Sequence, residues 1–598
     1  MVKKVNRCSP ISYVIRFFWR ERPSYLIVTF FESILWSLTY VFTSVYLLKI
    51  LFDYIQKEVA IMQVIILILS TALLCLTVYL INVIYNHIYK PKVEATLTEK
   101  IKLSIYEKYL DIPLMQFESN KVNENYFFIL SDSPSRFFAV INDVSNLISQ
   151  IISMLFIIGI MASVDYLIII IMVPFSMLFF LLNLKKNRIA FEKEMAVVKQ
   201  NKEKEYINRL FYLPQYAKEI RCTDISKAAF INFNTCYCDL QKKVSAFGKK
   251  IISIEVISYL FTSLIFDSLL LLYLTFRLVI DKAITIGDYT AIINSVWKLY
   301  GNINSIMGSF SKFKLHSNYI EKYLDFIFID PMKTIEGRNP DKFKSLCLEN
   351  ASFSYNENAE TINNICLQIV AGQKIGIVGY NGAGKTTLIK LIMGLYSVGS
   401  GRVLYNGIDY SQYSTDDLIR KFRLVSQDNN LYAVSFAENI FMNNYVKKQH
   451  DEYEAICKRT RLNPLIRKHE IVPESNMTSE FDENGVVLSG GETQRVSLSR
   501  VLSFRPADIY ILDEPSSALD AFQESSVNEI LNEIDKTLIV ITHKLGIVKN
   551  FDKIYFMDSG KIIEEGSHSE LMKLKGKYYE LYKFQKRRMY NKAINNGV

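Results

Sequence analysis

Several stretches of this chain combine residue types at spacings that could hold phosphate and activate water. The first is IGIVGYNGAGKTTLIKLIMG, where an apolar run, Ile375–Val378, leads into Gly379-x4-Gly384-Lys385-Thr386 and then a helix-forming segment. Glycines there let backbone N–H groups wrap the β- and γ-phosphates of a nucleotide, where a side chain would block close approach. Lys385 supplies a point charge to those phosphates, and the Thr386 hydroxyl can ligate Mg²⁺. The second stretch, ADIYILDEP at 507–515, is an apolar strand ending in paired acids. Asp513 can hold Mg²⁺ through water from the strand's C-terminal end, and Glu514 can polarise an attacking water. A further strand pattern, TLIVITHKL, closes on His543, a candidate contact for a γ-phosphate. Finally GVVLSGGETQRVSLSR, residues 485–500, carries a serine, two glycines and a polar helix start. That is the grammar of another phosphate cradle, and one chain with two cradles needs a reason.

The elements that position these residues belong to two different solvents. At 598 residues the chain is long enough for two to four domains. After about residue 340, short β-branched runs alternate with amphipathic segments and glycine turns, which predicts a soluble α/β domain. Before about residue 310, long apolar runs are broken by Lys-rich stretches. A bilayer-spanning helix needs about 20 mainly apolar residues, and six such runs lie near 24–50, 61–89, 140–162, 165–184, 252–276 and 286–310. Two long excursions, 90–139 and 185–250, read as helices continuing beyond the bilayer; residues 185–210 carry helix formers and opposite charges at helical spacing, with an ordinary cytoplasmic linker as the alternative.

The formal net charge of +10 raises nucleic acid as a partner, but its placement argues against one. Lys and Arg gather at 3–7, 90–108 and 185–250, while the short loops between the other apolar runs carry few. This is the positive-inside bias of a membrane protein with both termini cytoplasmic. Eight cysteines form no Cys-x-x-Cys pair, so neither a metal site nor a disulfide framework is expected of them. The first apolar run is long and lacks a small-residue cleavage site after it, so it reads as a span and not a removable signal.

Polar residues inside the spans form stripes. Asn294, Lys298, Asn302, Ser305, Ser309 and Lys312 on the last span fall within roughly an 80° arc of one helix face. Tyr79, Asn82, Asn86 and Lys90 form a similar stripe on the second span. Polar groups in hydrocarbon must face protein or a water-filled cavity. Asn82, Asn86, Asn294, Lys298 and Asn302 are therefore candidates for a substrate pathway, with helix–helix hydrogen bonding as the alternative. Glu32 and Asp267 are lone acids in apolar surroundings, open to either role.

From residue 345 onward the ordered motifs resemble the ATP-binding cassette (ABC) transporters. Six spans ahead of one cassette resemble a type IV exporter half-transporter, and the style resembles bacterial lantibiotic and peptide exporters without a peptidase domain. In that resemblance Gly379 to Thr387, including Asn381, Gly382, Gly384, Lys385 and Thr386, match Walker A, and Asp513 matches Walker B. Tyr355 in LENASFSY matches the aromatic that stacks on adenine, and Gln427 in LVSQD the Q-loop residue that senses Mg²⁺. Glu514 matches the catalytic base, Asp520 in SSALD the D-loop and His543 the switch histidine. Leu488-Ser489-Gly490-Gly491-Glu492 matches the family signature, except that Glu492 stands where Gln is usual. A carboxylate near phosphates would repel them, whereas on the ribose side it could accept a hydrogen bond.

The resemblance implies a six-helix α-helical transmembrane domain followed by an α/β P-loop cassette. The expected divisions are 1–320 for the spans, 321–340 for a linker, 341–590 for the cassette and 591–598 for a tail. It implies ATP and Mg²⁺ as cofactors, with Thr386, Gln427 and Asp513 around the metal. It also implies a multi-pass place in a bacterial cell membrane among lipids, with the cassette in the cytoplasm and short coupling helices near 118–131 and 215–228. The second cradle then serves the nucleotide of another cassette, so a second chain is required. A homodimer is the simpler assignment and a heterodimer the alternative. Cargo leaving by alternating access is read first as a peptide, on the polar stripes and cassette style. The alternative is a multidrug or lipid exporter moving amphipathic small molecules, on the abundant Phe and Tyr. An ATP-gated channel or sensor is the third reading. Only about 23 residues precede the first span, so a peptide's leader is expected to be cut by a separate protease.

Overall fold

The computed structural model describes residues 9–118, 120–329, 337–355, 360–503, 507–515, 527–531 and 534–595. Its contacts divide the chain into two units: Met1–Leu110 with Asn120–Ile329, and Asp111–Ser119 with Asp330–Val598.

The regular secondary structure of the first unit is entirely helical among its described residues. Five helical stretches there are long and apolar enough to cross a membrane: Pro23–Gln56, Ile61–Asp111, Ile129–Val164, Tyr166–Val197 and Ile225–Val279. They match the first five predicted spans, with Asp165 of the span 165–184 falling at the N-cap of its helix. The 51 residues of Ile61–Asp111 reach about 77 Å as a helix, against the ~30 Å thickness of bilayer hydrocarbon. The excursions are therefore helices running on from the spans, as expected. The predicted span 286–310 lies within the Ile286–Ile327 helix, which is too polar to qualify by length and composition. The physical reason is its surroundings. Ala291, Ile292, Val296, Leu299 and Ile303 pack in one core with Ile157, Met161, Phe266 and Leu270, so much of its surface meets protein instead of lipid. Its start is set by a Thr285–Asp288 capping box, and Asp288 also pairs with Lys49 at 2.6 Å. The helix continues to Ile327, so the first part of the expected 321–340 linker is helical.

The second unit holds two sheets. One is four-stranded and antiparallel in the order β2-β1-β4-β5, with β1 Ser345–Phe353, β2 Ile362–Val370, β4 Ser400–Tyr405 and β5 Ile408–Asp409. The other runs β10-β9-β3-β8-β7-β6, with β3 Lys374–Gly379, β6 Phe422–Val425, β7 Ile509–Asp513, β8 Thr537–Ile541, β9 Lys553–Asp558 and β10 Lys561–Gly566. Strands β9, β3, β8, β7 and β6 are parallel, and β10 is antiparallel to β9. All five residues of β8 are buried, as are five of six in β3. Burial on both faces explains why IGIV and TLIVI read as continuous apolar runs without alternation.

Coupling helices are expected near 118–131 and 215–228, and the structure places one short helix just before the first of these ranges. Residues from Asn120 already belong to the 45-residue Asn120–Val164 helix, and the short helix is Leu114–Phe117. Pro113 at its N-cap and the break before it end the preceding helix. Leu114 packs against the cassette core, and Glu118 accepts a hydrogen bond from Lys390 at 2.9 Å and another from the Tyr396 hydroxyl. Another short helix, Pro214–Cys222, overlaps the second expected range.

Candidate nucleotide site

The register of the parallel sheet decides which residues meet. Asp513 lies opposite Ile541 across β7 and β8, and Ile377 lies opposite Ile541 across β3 and β8. The C-terminal ends of these three strands therefore share one edge. Gly379, Asp513 with Glu514, and Thr542 with His543 emerge there, where ligands bind in open α/β sheets.

The loop after β3 turns tightly. A Cβ on Gly379 would lie 2.2 Å from the Met557 carbonyl oxygen, and Gly384 adopts φ +95° as N-cap of the Lys385–Ile392 helix. Neither position accommodates a side chain without a backbone shift. The buried Lys385 ammonium donates to the carbonyls of Gly379 at 3.1 Å and Tyr380 at 2.8 Å. Burial pushes its pKa down, with Glu514 and Asp513 opposing the shift. Asn381, Gly382 and Thr386 are exposed on the loop and first turn, while Thr387 is buried.

Thr386 Oγ1 donates to Asp513 Oδ2 at 3.2 Å, so the two residues expected to serve one metal are neighbours. Burial pushes the Asp513 carboxyl up, against the Thr386 hydrogen bond. Glu514 joins them: one carboxylate oxygen accepts from Gln427 Nε2 at 3.3 Å, and the other lies 3.4 Å from His543 Nδ1. Its backbone is left-handed at φ +51°, its N–H donates to the Ile541 carbonyl at 2.9 Å, and its own carbonyl accepts from Gln494 Nε2 at 3.2 Å. Gln494 was not singled out by the sequence. The Thr386 hydroxyl beside the buried Asp513 carboxylate suits a hard cation with oxygen ligands that keeps most of its water, which is the habit of Mg²⁺.

Tyr355 is exposed, its hydroxyl lies 3.2 Å from Thr387 Oγ1, and its ring meets Phe353 and Tyr396 edge-on. The ring is thus partly exposed beside Thr387 of the Gly379–Thr387 loop. Asp520 lies outside the described residues.

The second cradle is built separately. Ser489 is the N-cap of the Gly490–Leu502 helix, with Ser489 and Gly490 exposed and Gly491 half-buried. No hydrogen bond joins these three residues to the Gly379–Thr387 loop among the described residues. Glu492 does not point toward a ligand. One carboxylate oxygen accepts from the Ser489 N–H and hydroxyl, both at 2.9 Å, and the other accepts from Lys468 Nζ at 2.8 Å and lies 3.3 Å from His469 Nε2. Glu492 is buried, and burial alone would raise its pKa. Lys468, Ser489 and His469 outweigh burial and bring it down to about 2.

Among the membrane candidates, Asn302 is buried and donates to Ser153 Oγ at 3.0 Å. Asn82 donates to Glu32, and Asn86 donates to the Asn82 carbonyl. The Lys298 ammonium lies 4.1 Å over the Tyr40 ring, and Asn294 is half-buried. Asn302 and Asn82 thus use their amides between helices, and Asn302 and Lys298 do not converge on one described contact.

A family model described as ABC transporter matches residues 362–517. The chain is 31% identical over 360 residues to an ATP-dependent lipid A-core flippase of Pseudoalteromonas translucida, covering 58% of this chain and 59% of the relative. It is 30% identical over 308 residues to a probable multidrug resistance ABC transporter ATP-binding/permease protein of Bacillus subtilis, covering 51% of this chain and 45% of that protein. The chain thus spans about half the length of these curated relatives. A bacterial Atm1-family ABC exporter with ATP bound has the same fold, with a TM-score of 0.68 at 17% identity over 95% of this chain and 98% of that one. Residues 362–517 thus match the ABC transporter family model, and the chain has the fold of that exporter.

Proposed function

We propose that this chain is an ATP-driven exporter, hydrolysing ATP in its cassette to move cargo across a cell membrane by alternating access. The observation that carries this reading is the convergence of Thr386, Asp513, Glu514, Gln427 and His543 at one sheet edge, in a chain with five helices apolar enough to span a bilayer. Lys385 and the loop N–H groups bind the β- and γ-phosphates, and the partly exposed ring of Tyr355 takes the base. Thr386, Asp513 and Gln427 would hold Mg²⁺, which when bound neutralises charge on the β- and γ-phosphate oxygens. Glu514 orients the attacking water and takes its proton, and His543 and Gln427 hold the Glu514 carboxylate in place. The two short helices, Leu114–Phe117 and Pro214–Cys222, are the coupling elements in this reading. Ser489, Gly490 and Gly491, with Asp520, complete the site of a second copy of the chain. The last membrane helix, Ile286–Ile327, serves as a sixth span.

For cargo we propose an amphipathic small molecule or lipid in preference to a peptide. Relatives are named for lipid A-core, for multidrug resistance and for iron-sulfur clusters, and the Asn82 and Asn302 amides are engaged within the bundle. The test is reconstitution of the full chain in vesicles. ATP-dependent translocation of a fluorescent phospholipid or efflux of a hydrophobic dye supports this cargo class, while accumulation of a labelled peptide alone would return the peptide to first place. Glu514→Gln should bind ATP yet lower hydrolysis about 10²–10⁴-fold, the usual contribution of a general base; ATPase activity equal to the parent would remove Glu514 from that role.

A further inference from the structure

Glu492 places a carboxylate in the first turn of the helix whose N-terminus, in the proposed function, meets a partner's γ-phosphate. A lone carboxylate there would offset the positive end of the helix dipole and repel the phosphate. The structure shows what prevents this. Oε2 of Glu492 accepts the Ser489 N–H and hydroxyl, and Oε1 accepts the Lys468 ammonium at 2.8 Å with His469 Nε2 at 3.3 Å. One oxygen therefore shapes the loop and the other is neutralised. The Ser489 hydroxyl proton can rotate toward a phosphate while the N–H bond continues to hold the turn.

Lys468 is not placed there by a flexible surface loop alone. It ends the Asn463–Lys468 helix, and Leu465 of that helix is buried in a cluster with Phe436, Ile456, Met477 and Val496. Val496 belongs to the Gly490–Leu502 helix itself. The same core thus anchors both backbones, and the Lys468 side chain, 64% exposed, reaches around to the carboxylate beside His469.

We infer that Lys468 is a positioning residue for the signature loop, cancelling the charge of Glu492 so that Ser489, Gly490 and Gly491 can receive a nucleotide phosphate. Glu492 and Lys468 are then one unit, standing where the family pattern has a neutral Gln. The inference rests on the proposed ATPase reading and adds a residue to it.

A double-mutant cycle on the full chain tests it, with ATP hydrolysis measured against ATP concentration. Lys468→Met removes the ammonium but keeps the length of the side chain. It should raise KM for ATP about tenfold with kcat within about twofold, the size expected for a hydrogen bond to a charged group. Lys468→Arg should restore the parent KM. Introduced into Glu492→Gln, where no carboxylate needs neutralising, Lys468→Met should change KM by less than about twofold. A merely structural role would move both backgrounds alike. An equal KM increase in both backgrounds, or none in the parent, overturns the inference while leaving the ATPase reading intact. A parent chain that neither binds nor hydrolyses ATP overturns both. If Lys468→Met alone folds poorly, the comparison of Lys468→Arg with the parent and of the double variant with Glu492→Gln still decides: Lys468→Arg at the parent KM with a double variant at the Glu492→Gln KM supports it, and any other pair overturns it.

Discussion

Glu514 and Glu492 are both acids beside a phosphate-binding element, and their surroundings give them opposite tasks. Glu514 sits on a left-handed backbone with its carboxylate between Gln427 and His543, aimed into the edge of the sheet where Asp513 and Thr386 meet. Glu492 is turned back on its own helix and spent on Ser489 and Lys468. Its folded pKa of about 2 lies below the ~4.3 of an unfolded Glu. The stability this contributes is complete above the unfolded value and is lost as pH falls through the folded one. Because Lys468 is largely exposed, solvent screening reduces the contribution to about 1 kcal/mol. The detergent-solubilised chain should therefore exceed Glu492→Gln in thermal stability at pH 7. That margin should shrink between about pH 4.5 and pH 2; a margin that does not change over that range would show that the carboxylate is not stabilised by its partners.

At the scale of elements, the segment Asp111–Ser119 is the informative one. It connects two long helices of the first unit yet groups with the second, through Leu114 in the cassette core and Glu118 on Lys390 and Tyr396. Burial would raise the Glu118 pKa, and its bonds to Tyr396 and Lys390 lower it instead, so the carboxylate stays charged in this contact. Lys390 lies on the Lys385–Ile392 helix and Tyr396 just beyond it, which places the contact on the element that, in the proposed function, holds the phosphates. Glu118→Ala should leave ATP hydrolysis in detergent within about twofold and lower ATP-driven phospholipid translocation in vesicles at least about fivefold. Equal losses in both assays would mean that the residue supports the cassette's stability and not its coupling.

At the scale of the molecule, two cradles on one chain become consistent if each site is assembled from two copies. The prediction is a complementation experiment. Lys385→Ala chains and Ser489→Arg chains should each be inactive alone, since every site in either homodimer lacks one half. Mixed before assembly, the two variants form some pairs in which one site joins an intact phosphate loop to an intact signature loop. Random pairing gives half mixed dimers with one good site of two, so activity should recover to at most about one quarter of the parent. No recovery in purified mixed dimers would place both cradles on the nucleotide of a single chain.

Much of this was written in local sequence. IGIVGYNGAGKT and YILDE specify a strand, a tight turn and the types of group that follow, because the turn needs glycine and a strand buried on both faces needs an unbroken apolar run. Five spans were equally legible, since lipid admits few alternatives to a long apolar helix. Even the Glu492 contact left a trace: Ser489-x-x-Glu492 is a capping-box spacing, which points the carboxylate back at Ser489. Local pattern could not supply the partners that arrive from elsewhere. The charge of Glu492 depends on Lys468, 24 positions away and brought near by a shared core. The role of Asn302 depends on Ser153 on another helix. The alignment of Gly379, Asp513 and His543 depends on the order of strands in a parallel sheet. Residue types and short spacings determined which chemistry was available. Packing between distant segments decided which groups are paired, and therefore which remain free to perform it.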